Sequence, residues 1–222
     1  MFFRFKFLFS RDLLGCLLVQ PSNPSTVFSP KIASAESIPL ESGTVNLITA
    51  SECVHWFDLD QFYHEVDRLL VPGGMFAAFG YDPTRCVCNV ASAGTQAGRK
   101  LEHLLEDACQ TLYDRGYWDR SAIDLLLSRY ETLPLPYARS YRRDKLYNSH
   151  IYSAKNFVDY ITSMSAFHKF AEEKPDAARA FVDDIEKKMQ DILMQDDLPS
   201  ARIDVTFEFF LLMSKKPEET EV

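Results

Sequence analysis

Cysteine, histidine and glycine are the residues whose spacing most directly betrays chemistry, and in this chain they exclude more than they offer. Cys86 and Cys88 form a close thiol pair. They stand one residue nearer than the CxxC of a zinc knuckle and no second pair follows, so the spacing predicts ordinary thiols and no metal. With Cys16, Cys53 and Cys109 the cysteines number five, an odd set without the regular spacing of a disulfide framework, which points to a reducing compartment. His64, His103, His150 and His168 lie in helical or loop context without partners at ligand spacing, while His55 sits in the compact motif Val54-His55-Trp56-Phe57-Asp58. Glycine is scarce, eight in 222 residues. That is about half of average usage and leaves little for a loop that cradles phosphates. The 24 basic residues are outnumbered by 32 acidic ones, for a formal charge of -8. A sequence-independent grip on a phosphate backbone needs clustered Lys and Arg, so no nucleic-acid partner is expected.

Elements must position these residues, and a chain 46% hydrophobic and 25% charged suffices for one ordinary globular domain with appendages. Residues 44–51 (TVNLITAS) are short, β-branched and preceded by a Ser-Gly turn, which predicts a buried strand. Asp58 with Gln61 three residues later has the form of a capping box. Leu59, Phe62, Tyr63, Val66, Leu69 and Leu70 then keep the spacing of a helix that buries one face, and Pro72-Gly73-Gly74 is expected to end it. Residues 75–81 (MFAAFGY) are a continuous apolar run of strand length. Two apolar strands joined by an amphipathic helix make a βαβ unit with parallel strands.

The remainder reads as mostly helical. Leu101, Leu104, Leu105, Ala108 and Leu112 form one stripe, and Ile123, Leu126, Leu127 and Tyr130 a second. Residues 132–141 hold two prolines and cannot be a central strand. Helices are expected at 154–165 and 176–194. Ile203, Val205, Phe207, Phe209 and Leu211 alternate as in a strand, and Lys215-Lys216-Pro217 closes the fold. Residues 1–19 are apolar with Arg4, Lys6 and Arg11, as in a targeting segment. The charges interrupt the apolar run and a Pro/Ser-rich stretch follows, so no span of about 20 apolar residues exists for a membrane helix. The expected location is the cytoplasm, with mitochondrial targeting or an altered gene start as the alternative explanations of this segment.

The stretch 34–40 (SAESIPL), then Val45-Asn46-Leu47-Ile48-Thr49-Ala50, then His55-Trp56-Phe57-Asp58, then residues 65–74 (EVDRLLVPGG) resembles the second half of a class I S-adenosylmethionine-dependent methyltransferase of the type 11 domain. The pattern is most similar to the small-molecule enzymes related to trans-aconitate methyltransferase. Residues 129–137 (RYETLPLPY) and 163–167 (SMSAF) resemble that family's substrate cap. The likeness covers about 27–217, with a cap region at about 95–195; residues 1–26 are an atypical apolar and Pro/Ser-rich segment, and 218–222 an acidic tail. It implies an α/β fold, an incomplete Rossmann-like sheet lacking its first strands and Gly-rich loop, with a helical C-terminal cap insertion.

By position, the resemblance places Ala35 and Glu36 beside the adenine of S-adenosylmethionine, and Ala50, Ser51 and Glu52 beside its methionine part, in the crevice beyond the strand ends. His55 and Trp56 fall on the rim where the methyl meets its acceptor. A histidine there deprotonates or orients an acceptor oxygen, and an aromatic face attracts a sulfonium. Alternatively the pair is a structural plug before the helix. Tyr81 is expected to line the acceptor pocket. Arg139, with Arg142 and Arg143, is a candidate for holding a small carboxylate-bearing acceptor, solvated surface arginines being the other reading.

A complete enzyme of this class begins with a strand, a GxGxG turn, a helix and a second strand ending in an acid. Before residue 34 the only glycine is Gly15, so this cofactor loop is missing. Two expectations follow: an N-terminally truncated methyltransferase with weak or no activity alone, or a non-catalytic interaction or regulatory module derived from one. In either case an exposed sheet edge favours self-association or pairing with a full-length paralogue.

Overall fold

The computed structural model describes residues 18–20 and 33–218. The elements are β1 (Leu18–Gln20), β2 (Val45–Ser51), α1 (Leu59–Leu69), β3 (Leu70–Tyr81), β4 (Val87–Asn89), α2 (Gly94–Asp114), α3 (Arg120–Leu127), β5 (Ser140–Ser153), α4 (Ala154–Thr162), α5 (Ser165–Glu173), α6 (Pro175–Leu193) and β6 (Arg202–Lys215). This is an α/β fold with a mixed sheet. The described residues divide into two compact units, one drawn from Met1–Gly80, Ser128–Asp144 and Phe210–Val222, the other from Tyr81–Leu127 and Lys145–Phe209.

The first unit holds the βαβ element read from the sequence. β2 and β3 pair in parallel from Leu47 opposite Met75 to Ser51 opposite Phe79. Val45, Ile48 and Ala50 of β2, Phe76 and Ala78 of β3, and Phe62, Val66 and Leu69 of α1 are all buried. The Phe62 and Phe76 rings meet edge to face, 5.7 Å between centroids, a geometry the ring quadrupoles favour. Asp58 caps α1 by accepting from the Gln61 N–H. The expected capping box is only half formed, because the Gln61 amide turns to the Asp58 carboxylate and the Asp58 N–H goes to Glu36.

Pro72-Gly73-Gly74 does not separate helix from strand. The helix ends at Leu69 and β3 begins at once with Leu70 opposite Val45, the next partner of β2 being Met75 opposite Leu47. The intervening residues are a bulge inside the strand, made possible by the left-handed φ of +76° at Gly73. On its far side β3 meets the C-terminal part of β6 in antiparallel sense: the Gly73 N–H donates to Pro217 O (3.2 Å) and the Lys216 N–H to Gly74 O (2.9 Å). β1 lies antiparallel on β2 at Leu47–Thr49, so this part of the β2 edge is paired.

In the second unit α2 packs on β4, α5 and α6. β4 pairs antiparallel with β6, Val87 opposite Thr206 and Asn89 opposite Asp204. The expected helix at 154–165 is present as α4 but ends three residues early, and a further helix follows it. α4, opened by a full Ser153/Asn156 capping box, stops at Thr162, and α5 starts at Ser165. β5, which also pairs with β6, was not expected: nearly all its side chains are exposed on both faces, so it carries no alternation of apolar and polar residues to read. No helix among the described residues is long and apolar enough to cross a membrane.

Candidate functional site

The first unit gathers chemistry at the carboxyl ends of β2 and β3. Ala50 is buried and Ser51 half-buried. The chain then leaves the sheet at Glu52, whose φ is 54° and whose N–H donates to Phe79 O at 3.0 Å. A Cβ at Gly80 would fall on the Glu52 carboxylate and lie 3.1 Å from Phe210 Cζ. Glycine at this position is what lets the Glu52 carboxylate lie across the end of β3.

A single 3-10 turn, Val54–Trp56, follows. Its Val54 is buried as an anchor, while His55 and Trp56 stay half-buried, with ring centroids 5.2 Å apart. His55 Nδ1 lies 2.7 Å from the Tyr130 hydroxyl. Tyr130 was expected on the stripe of α3, but that helix ends at Leu127 and the chain then places two consecutive residues, Arg129 (φ 58°) and Tyr130 (φ 57°), in the left-handed region. This costs non-glycine residues on the order of 1–3 kcal/mol each and persists only where the surroundings impose it. They do so here. Arg142 donates to Arg129 O at 3.0 Å and forms a two-pronged pair with Asp144, both distances 2.9 Å. Tyr63 of α1 donates to Pro134 O at 2.6 Å, and Tyr137 to Asp67 at 3.0 Å. The Tyr130 ring stands edge-on to Phe210, 5.1 Å between centroids. Burial, and after it the neighbouring Glu52 and Cys53, pushes the Tyr130 phenol far above its ordinary value, so it stays neutral.

The Ala35-Glu36 turn reaches the same region. Ala35 is buried. The Glu36 carboxylate accepts from the Asp58 N–H at 3.2 Å and from the Ser34 hydroxyl, which ties the turn to the start of α1. Behind it, Glu65 and Arg68 hold the following loop. Glu65 accepts the Ile38 N–H at 2.6 Å, and Arg68 donates to Leu40 O, Ile38 O and both Glu65 oxygens. The Arg68 hydrogen bond holds the Glu65 carboxyl below its ordinary value. The signal in the sequence that could have found this pair is an acid and a base three apart on one helix.

Other expected site residues are placed differently. Arg139 is exposed, its Nε donating to the Tyr141 hydroxyl at 2.8 Å, and Arg142 spends its donors on Asp144 and Arg129 O. Tyr81 belongs to the second unit, where its ring packs on Phe207 and Phe209 at 4.9 and 4.8 Å, near the Tyr160 hydroxyl at 3.4 Å. In that unit Cys86 and Cys88 bring their sulfurs to 3.4 Å. No group of three or more metal-ligating side chains occurs among the described residues.

Residues 19–78 match the family described as Methyltransferase domain. A Dictyostelium discoideum protein named as a methyltransferase is 27% identical over 190 residues, 84% of this chain and 65% of that protein; the chain thus spans somewhat under two thirds of this relative. An uncharacterized methyltransferase of Schizosaccharomyces pombe is 38% identical over 47 residues, 21% of this chain and 19% of its own length. Among solved structures, a protein of Anaeromyxobacter dehalogenans named as a type II methyltransferase superposes with a TM-score of 0.64 at 21% identity, covering 88% of this chain and 74% of that one. At that identity the superposition speaks to the fold.

Proposed function

We propose that this chain, which belongs to the class I S-adenosylmethionine-dependent methyltransferases, serves methyl transfer to a carboxylate oxygen of a small acidic acceptor, weakly as these residues stand. The observation that carries the reading is the Glu52 carboxylate laid over Gly80 at the strand ends, with the His55–Tyr130 pair following it. A carboxylate is acceptor-only and suits an ammonium or sulfonium cation, so these residues fit the amino-acid end of the cofactor. Ala35, small and buried, fits close approach of a flat base.

Bound S-adenosylmethionine would supply an electrophilic methyl group on a sulfonium. The chain's own task is then chiefly positioning, since direct displacement demands aligned reactants more than a base. Glu52 accepts from the cationic end, the Trp56 face attracts positive charge, and His55 orients the acceptor oxygen. Arg139, of the same unit as His55, is the candidate acceptor contact. Affinity for the cofactor is low because the 222 residues contain no GxGxG turn and Glu36 is already engaged by Asp58 and Ser34. A full-length paralogue carrying such a turn, or self-association, would complete the cradle. The cysteine pattern favours a cytoplasmic setting.

Methyl-labelled cofactor at millimolar concentration, offered with trans-aconitate and other small di- and tricarboxylic acids, tests the reading. The expected product is a slowly formed, base-labile methyl ester. Transfer only to amines or to neutral analogues, or no transfer to any acid, contradicts it.

A further inference from the structure

We infer that Tyr130 is a positioning residue that fixes the tautomer of His55, making Nδ1 a hydrogen-bond acceptor and leaving the ring proton on Nε2. In that tautomer Nδ1 is spent on the phenol, so it does not act as the base that removes a proton. The consequence for methyl transfer rests on the proposed function above; the tautomer assignment stands on the geometry alone.

Tyr130 is fully buried, its hydroxyl lies 2.7 Å from His55 Nδ1, and the phenol oxygen also accepts from the His55 backbone N–H. A neutral phenol brings one proton to that contact and a neutral imidazole nitrogen brings either a proton or a lone pair. If Nδ1 carried the proton, the phenol would have to accept it, and its own O–H would be stranded in the interior, an arrangement buried donors rarely adopt. If Nδ1 is the lone pair, the phenol donates to it and both groups are satisfied. The phenol does not escape by ionising, because its burial, and after that Glu52 and Cys53 from the strand end and Tyr63 from α1, oppose a phenolate.

The backbone supports a specific role. Arg129 and Tyr130 are both left-handed, and the Arg142–Asp144 pair holds Arg129 O. The Arg129 and Arg142 guanidinium groups each lie 5.8 Å from the Phe210 ring centre, against which Tyr130 rests. A strained turn braced on several sides delivers one hydroxyl to one ring nitrogen, and strain of this kind clusters where geometry is functional.

The test is long-range proton–nitrogen NMR of the imidazole nitrogens in the full chain above the titration range of histidine, with His55→Asn used to assign the resonances. The expected wild-type result is a protonated, pyrrole-type Nε2 and an unprotonated Nδ1 displaced by an accepted hydrogen bond. In Tyr130→Phe, which keeps the ring and removes only the oxygen, Nδ1 should move to the position of an unbonded imine nitrogen. A pyrrole-type Nδ1 in the wild type overturns the inference, as does a Tyr130→Phe spectrum identical to wild type. If that variant does not fold, the wild-type spectrum alone decides. The readout needs neither cofactor nor acceptor, so a chain that transfers no methyl group can still show this tautomer, and the two readings fail separately.

Discussion

Gly98, on the face of α2 that meets β4, allows two opposing effects to be weighed in one substitution. Alanine in a helix interior is favoured over glycine by about 0.8–1.0 kcal/mol, so Gly98→Ala would stabilise an exposed helix. Here a Cβ would fall on the carbonyl oxygen of Cys88, 3.0 Å from its carbon and 3.7 Å from Asn89 Cα. These are backbone atoms of β4, which is paired to β6 with Cys88 opposite Val205, and they cannot swing aside as a side chain can. Overpacking costs roughly 1–3 kcal/mol and more where backbone must move. Pushing β4 away also weakens the 2.8 Å bond from the Cys88 N–H to Glu102, a charge-assisted bond of about 1.5–3 kcal/mol. The steric terms win, for a net loss of about 2–3 kcal/mol. In a chain of this size that lowers Tm by roughly 4–12 °C in a thermal melt. Gly116→Ala is the control. Its site has φ +76° and nothing within 4 Å, so it carries only the left-handed penalty of about 1–2 kcal/mol. A Gly98→Ala protein as stable as wild type, or more stable than Gly116→Ala, would refute the close backbone packing of α2 on β4.

Gly80→Ala should behave differently, because the group it meets first is the free end of Glu52 and only Phe210 Cζ at 3.1 Å resists. Its Tm is expected within about 3 °C of wild type, with Glu52 swung off the strand end; a larger fall would mean that the carboxylate is pinned. The Glu65 carboxyl is held down by Arg68 from its ordinary value of 4.5, so the stability it contributes is present above that value and lost as pH falls through the lower folded-state value. Glu65→Gln should flatten the acid limb of a stability–pH curve, and an unchanged limb would contradict the pairing. Burial pushes the Cys109 thiol from 9.0 up to about 12. Its contribution is therefore complete below 9.0 and drains away as pH rises toward about 12, at about 1.4 kcal/mol per pH unit. Cys109→Ala should melt with a shallower alkaline slope, which equal slopes would exclude.

The βαβ element was legible because each of its parts carries a local signal: an apolar run for β2, Asp58 and the 3–4 spacing for α1, a second apolar run for β3. The position of Glu52 at the strand end followed from that order. The hydroxyl that meets His55 did not. Tyr130 continues the spacing of Ile123, Leu126 and Leu127, so periodicity assigns it to a helix that has already ended, and nothing local announces two left-handed residues without glycine. β5 escaped because a strand exposed on both faces has no period to detect, and β4 because three residues are too few. The pairing of Glu65 with Arg68 was not read from the sequence, and the backbone groups of Ile38 and Leu40 that they hold lie about 27 residues away, a distance no local pattern spans.

The central claim, that the strand-end cluster addresses one end of S-adenosylmethionine without a glycine-rich loop to hold the rest, is tested most directly by calorimetric titration with S-adenosylhomocysteine. The account predicts a dissociation constant well weaker than micromolar. Micromolar or tighter binding by the isolated chain would contradict it.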